Sequence, residues 1–483
     1  MKKMRKIYQE NTLWTTPIEK VKIMKSRHEL AYVLRGLIYI IENREDILKL
    51  VYEDLTKNKC GQKGRKGMSA VMAITLLVVR NSIKCNYAEL EWILHNDKTI
   101  LAILGNSPEN PIQLFDEKTI HQNLNKIRVE TIEKINEAVI EGAKGLGYEK
   151  GGKIRGDSFV CERNIHFPSE SSLLWDCARI IIRNSQRVDK KIIGRQAKHH
   201  RRQIKLVVRN IGIIRKSKGK NKEKRIKIAH RILILRMKKI IKKIKKYDKI
   251  REEILLIKNG SPDINSSKTI VISSAVVIAE KIMELAQRRI FNEEDIPNTE
   301  KILSIFEKEV ELINRGKYPI SIEFGHKIFL HQSESGFIVD WAIMQRGAKD
   351  SEQIKPSIER IKNKYSIVFD SGSYDKGFYT PDNKENLTKL FKKEMVVIPK
   401  KGKLNKEETE KESSKLFKKL RFFRARIESL ISSLVRGNGM GLCPDKGMKK
   451  YKTYIASCIL SRNLHTLGKY LLETEDLKLQ KAG

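Results

Sequence analysis

Lys153-Ile154-Arg155-Gly156-Asp157-Ser158-Phe159-Val160 is the stretch on which the fold turns. Before it, from Met68 to about Gly147, apolar residues recur at helical spacing, with Ile74, Leu77 and Val78 on one face. Here the pattern shortens to that of a strand and carries Asp157 within it. Downstream, strand signals return at Ile320–Leu330 and at Phe337–Ile343, with Glu334-Ser335-Gly336 between them as the turn of a β-hairpin. A helix from Ser351 to Lys364 leads to a strand at Ser366–Phe369. Thr380-Pro381 opens another helix, since proline suits the first helical turn. Met395–Ile398 is a fifth strand, and a long helix is predicted from about Glu407 to Val435. The order β-β-β-α-β-α-β-α predicts an α+β fold on a mixed five-stranded sheet, with a long, mainly helical insertion after the first strand.

Working outward to the N-terminus, Leu30, Val33, Leu34, Leu37 and Ile41 predict a helix, and Gly61–Gly67 predicts a basic linker. Asn86 and Glu89 form a capping-box pattern opening a helix through Trp92. Ser107–Pro111 is a loop, and Thr119–Ala143 is a further helix. The insertion is strongly basic between Arg179 and Arg251, where Met237, Ile240, Ile244, Tyr247 and Ile254 predict an amphipathic helix with lysines on its other faces. Those lysines are either solvated or in contact with DNA. The expected division is 1–67, a basic helical region with its linker; 68–150, a helical domain; 151–176 and 318–470, the two parts of a core; 177–317, the insertion; and 471–483, a tail.

Composition narrows the function. The 483 residues hold 98 Lys and Arg against 58 Asp and Glu, a net charge of +40. Such a surface favours a polyanion, nucleic acid first, because phosphate neutralisation releases counterions. The longest nearly apolar run, Ala70–Val79, is too short to span a bilayer, and Met1–Lys6 leads into no apolar signal core. Membrane and secreted classes are therefore not expected. Six widely spaced cysteines without a Cys-x-x-Cys pair predict reduced thiols and a cytoplasmic protein.

Asp157, Asp375 and Glu428 suit two-metal phosphoryl transfer, which needs hard oxygen ligands around a pair of divalent ions about 3.5–4 Å apart. Each also has a plain structural explanation. Aspartates near strand ends form turns, and Glu428 stands one helical turn after Arg424, where a simple ion pair would account for it. Asp370, directly ending Ile367-Val368-Phe369, competes with Asp375 as the second carboxylate, and Asp375 is preferred for its Lys376-Gly377-Phe378-Tyr379 context. Lys400 and Lys401, after the fifth strand, suit backbone phosphate or a solvated loop. His166, His326 and Trp175 fit packed structural roles, and His199-His200 a solvated one.

Several blocks in order carry a resemblance. Arg155-Gly156-Asp157 through Pro168, followed by Ser171–Asp176, resembles the first-aspartate block of bacterial insertion-sequence DDE transposases of the ISNCY type. Glu323–Leu330 resembles the next strand of that group, and Asp375-Lys376-Gly377-Phe378-Tyr379 through Asn383 its second-aspartate block. The Glu428 helix, Gly441–Gly447, Arg462-Asn463-Leu464 and Leu467-Gly468 resemble the C-terminal block. The resemblance implies a ribonuclease-H-like catalytic core in which Asp157, Asp375 and Glu428 bind two Mg²⁺ (or Mn²⁺) ions. It implies cleavage of double-stranded DNA at the element's terminal repeats and joining of the 3′-hydroxyls to target DNA. It also implies DNA binding by residues 1–67, end binding or dimer contacts by 68–150, at least a dimer on DNA and a nucleoid-associated location. Arg424 fills the arginine slot four residues before the glutamate; Arg421 replaces the usual tyrosine, and Val435, beside Arg436, replaces the usual lysine. Arg421, Arg424, Arg436, Lys376, Lys400 and Lys401 are the DNA contacts so implied. The rival expectations are a non-catalytic DNA- or RNA-binding descendant and a simple metal-dependent nuclease on the same core.

Overall fold

The computed structural model describes residues 21, 23, 28–56, 67–107, 111–190, 192, 196–258, 268–316, 321–391 and 395–482. The Met1–Lys6 stretch and most of the Gly61–Gly67 linker lie outside the described residues. The chain is α+β and divides into two units, residues 1–164 with 325–483, and residues 165–324.

The first unit opens with helices α1 (Glu29–Asn43), α2 (Glu45–Thr56), α3 (Ala70–Ser82), α4 (Tyr87–Asn96), α5 (Lys98–Ile103), α6 (Glu117–Leu124) and α7 (Val129–Gly145). Strand β1 (Gly152–Arg163) follows. The second unit holds α8 (Glu170–Val188), α9 (Ala197–Lys216), α10 (Lys222–Ile244), α11 (Asp248–Lys258), α12 (Lys268–Ala286) and the short strand β2 (Glu311–Asn314). The chain returns through β3 (Ile322–Ser333), β4 (Ile338–Ile343), α13 (Ile354–Tyr365), β5 (Phe369–Ser373), α14 (Pro381–Leu390), β6 (Val396–Val397), α15 (Lys406–Ser413), α16 (Lys415–Arg436), β7 (Leu442–Cys443) and α17 (Met448–Ala482).

The sheet runs β2-β3-β1-β5-β6, with β4 paired to β3 and β7 to β1. β3 is antiparallel to β1 and β4, whereas β5 and β7 are parallel to β1 and β6 is parallel to β5. Alternation along β3 shows how both faces are used. Ile328 and Leu330 join Phe159, Ile427 and Leu430 in one apolar cluster, while Phe329 faces the other way into a core with Tyr374, Phe378 and Leu464. Helix α1 lies along α17 at backbone contact: a Cβ on Gly468 would fall 1.8 Å from the Tyr32 carbonyl oxygen, and one on Gly36 2.2 Å from that of Leu464. Only glycine allows so close a crossing.

Several expectations need correction. Among the described residues the sheet has seven strands, because β2 and β7, of four and two residues, are too short to show a period of two. The helix expected over Thr119–Ala143 is two, α6 and α7; where α7 begins, the N–H of its N-cap Arg128 and the Thr131 hydroxyl of its first turn donate to the buried Asp54 carboxylate. The helix expected from Glu407 is broken at Ser414, whose hydroxyl instead caps α16 by accepting from Phe417 N at 3.2 Å. The insertion begins at 165, not 177, since α8 runs unbroken through that boundary, and it ends at 324 rather than 317. The N-terminal helices are no separate domain: α1, α2, α3 and α7 share one core with Ile154, Phe329 and Tyr374 of the sheet region. Residues 471–482 are the end of α17, not a tail. The Asn86/Glu89 capping box, the β3–β4 hairpin and the Thr380-capped helix stand as expected.

Candidate active site

Register explains how distant acids meet. On β1, residues of one parity face α16: the Arg155 guanidinium donates to the Phe423 carbonyl at 2.9 Å and to Gln332 Oε1 at 2.8 Å, with the Phe423 ring beneath it. Asp157, two residues on, shares that face. β5 pairs Ser373 with Arg155 in parallel register, so the next residues in step are Asp157 and Asp375. Asp375 leaves the strand to cap the turn Lys376–Phe378, its Oδ1 accepting from Gly377 N. Glu428 comes from α16.

All three carboxylates converge on one cation. Arg424 Nη1 is 3.6 Å from Asp157 Oδ2 and 3.8 Å from Asp375 Oδ2, and Nη2 donates to Glu428 Oε1 at 3.0 Å. The two aspartate oxygens are thus no further apart than those two distances laid end to end. The Asp157 side chain is 19% exposed, that of Asp375 45% and that of Glu428 69%, so the cluster grades from buried to open. Burial pushes the Asp157 carboxyl up to about 6, helped by the neighbouring Asp375 and Asp350 charges and opposed by the Ser158 N–H and Arg424.

That shift is a stability statement. The native carboxyl binds its proton more tightly than the unfolded one, so its ionised form is penalised above pH ~6 and not below pH ~4. Asp157→Asn is therefore expected to raise stability by about 1–3 kcal/mol at pH 8 and to have no such effect near pH 4, as urea midpoints at the two pH values would show. A destabilising mutation at pH 8 would contradict this.

Asp370 does not join the cluster. It is exposed at the start of β5, five residues before Asp375, where β5 pairs with the Gly152 end of β1. Among the basic residues, Lys401 Nζ donates to the Gly377 carbonyl at 3.0 Å and so borders the Asp375 turn. Lys400 instead binds Glu408 at 2.8 Å, clasping the loop to α15. Lys376, Arg421 and Arg436 are exposed. His166 is half exposed and pairs with Asp176 at 2.6 Å, rather than packing in an apolar setting as expected. His326 is buried against the Tyr451 ring, and Trp175 packs on the core of the second unit.

Two features were not foreseen. Asp350 stands near Asp157, its Oδ1 accepting from Ser158 Oγ at 2.9 Å and lying 3.5 Å from Lys327 Nζ. A lone aspartate in a polar loop gives no sequence signal of this. Behind β1, a buried hydrogen-bond chain braces both aspartate-bearing segments. Ser357 donates to Asp340 at 2.5 Å, so His331 donates to Ser357 through Nδ1 at 2.6 Å and accepts from the Tyr374 hydroxyl through Nε2 at 2.9 Å. Arg360 closes the far end on Asp340 at 2.6 Å. Full burial holds His331 down at about 3, hence neutral, as the chain requires.

Gly156 leaves room for this packing: a Cβ there would lie 2.7 Å from the His331 ring and 2.8 Å from that of Tyr374. Gly156→Ala is expected to cost about 1–3 kcal/mol in chemical denaturation; a neutral result would mean the chain can yield.

Hard carboxylate oxygens from a strand, a strand-end turn and a helix, donors of the kind a divalent metal prefers, here surround the Arg424 guanidinium. As placed around Arg424, they do not close on a common point: among the described residues no three His, Cys, Asp or Glu side chains are close enough to hold an ion. No protein-family model, curated protein or solved structure matches the chain. Among the described residues no helix is long and apolar enough to cross a membrane.

Proposed function

We propose that this chain is a DDE-type DNA transposase with a ribonuclease-H-like core, cutting the ends of an insertion element and joining the 3′-hydroxyls to target DNA. The observation that supports it is the convergence of Asp157, Asp375 and Glu428, far apart in sequence, on the single Arg424 guanidinium. Two Mg²⁺ or Mn²⁺ ions held by these acids would activate the attacking hydroxyl and stabilise the leaving oxygen. The chain's own part is positional. Arg155 fixes α16 against β1, the Tyr374–His331–Ser357–Asp340 chain braces the aspartate segments, and Arg424 and Lys401 offer positive charge to a phosphate. At least a dimer on DNA, in the nucleoid, goes with this proposal.

One observation favours a second reading. Arg424 already neutralises part of the carboxylate charge, as a purely structural ion-pair cluster in a non-catalytic nucleic-acid-binding protein would. Metal dependence separates the two. In the enzyme, Mn²⁺ affinity falls about tenfold per pH unit below pH ~6 as Asp157 takes up its proton, measured by calorimetry from pH 8 to 5. A structural cluster binds no Mn²⁺ at any pH. A simple nuclease differs from a transposase in one product: it makes no joined DNA from a pre-cut 3′-hydroxyl end.

A further inference from the structure

Helix α9 carries seven Lys and Arg and no Asp or Glu. Its inner face is spent on packing, with Ile204, Ile211 and Ile214 buried in the core of the second unit. On the opposite face Lys198, Arg202, Lys205, Arg209 and Lys216 follow one another at helical spacing, and all five are exposed. Arg215, turned inward, lies 3.8 Å from Glu170; none of the five outer cations has a carboxylate partner among the described residues. At 1.5 Å per residue the stripe is about 27 Å long, close to one turn of B-form DNA at about 34 Å.

We propose that this stripe docks the phosphate backbone of duplex DNA. Five unpaired like charges in a row repel one another, and a polyanion laid along them removes that repulsion while releasing counterions. A membrane surface fits less well: an interfacial helix turns an apolar face to the lipid, and the apolar face of α9 is already buried, leaving Leu206 and Ile213 at the edge of the stripe. Backbone contacts carry no sequence information, so the stripe suits DNA held regardless of sequence. Within the proposed transposase, on which this last step rests, that DNA is the target.

The test uses the full chain and a fluorescent duplex of random sequence, with binding measured between about 50 and 200 mM NaCl. Replacing all five cations by Gln is expected to flatten the slope of log K against log[salt] by about 4.5, near 0.9 per lost phosphate contact, and to weaken binding at least about tenfold. Single substitutions, each expected to remove about one unit of slope, serve if the fivefold variant loses its helical circular dichroism. For the fivefold variant a slope within one unit of the parent overturns the proposal, and for the single substitutions an unchanged slope does. So does unchanged DNA binding with lost binding to phosphatidylserine vesicles. Asp157→Asn controls the catalytic reading separately: it keeps full DNA binding and slope, so failure of the stripe and failure of the triad give different results.

Discussion

Asp157→Asn, Asp375→Asn and Glu428→Gln each lower Mg²⁺-dependent DNA cleavage by about a thousandfold or more while leaving DNA affinity within about twofold. Each substitution keeps side-chain shape and removes one anionic ligand from a set that acts as a unit, so combining two adds little to one. Arg155 still pins α16, and the chain behind β1 still braces the strand, so the scaffold survives each change. Gel assays of a labelled duplex with Mg²⁺, read beside equilibrium binding without it, check both halves. Cleavage that persists in all three variants rules out the triad. Cleavage lost only together with DNA binding places these acids in the scaffold instead.

Arg424→Gln strengthens divalent-metal binding by about tenfold or more in the absence of DNA. The guanidinium stands within 3.0–3.8 Å of all three carboxylates, so an ion entering there meets its repulsion or must break its ion pairs. At about 4 Å and an effective dielectric near 20, unit charges interact by ~4 kcal/mol. Rearrangement of the freed carboxylates absorbs part of that, and about 1.4 kcal/mol remaining is a factor of ten. Calorimetric titration with Mn²⁺ reads this directly, without requiring activity. Equal affinity in parent and variant would show that Arg424 and the metals do not share the site. The same variant is expected to lose cleavage, because once displaced the guanidinium is the nearest positive charge for a substrate phosphate.

Much of the sheet was legible because period-two patterns are local. The β3–β4 hairpin follows from Glu334-Ser335-Gly336 between two alternating runs, and β1 from the change of period at Lys153. What sequence could not show depends on partners far along the chain. The break before α7 comes from Asp54, more than seventy residues earlier, and two-residue β7 exists because its neighbour β1 is already in place. The site divides in the same way. The Lys376-Gly377-Phe378-Tyr379 context favours Asp375 over Asp370 from sequence, but the parallel register that puts Asp375 in step with Asp157 is supplied only by the fold. Arg424 was legible as a helical neighbour of Glu428, one turn away, but not as the common partner of Asp157 and Asp375. Asp350 and the His331–Tyr374 link had no local pattern to reveal them; both are made by residues brought together across the sheet.

The most direct test of the central claim is crystallographic: the full chain soaked in Mn²⁺, with an anomalous difference map read at Arg424. Two peaks about 4 Å apart, contacted by Asp157, Asp375 and Glu428 with the Arg424 side chain swung aside, are the expected result. Saturating Mn²⁺ with no peak there, and Arg424 still joined to the three carboxylates, would contradict it.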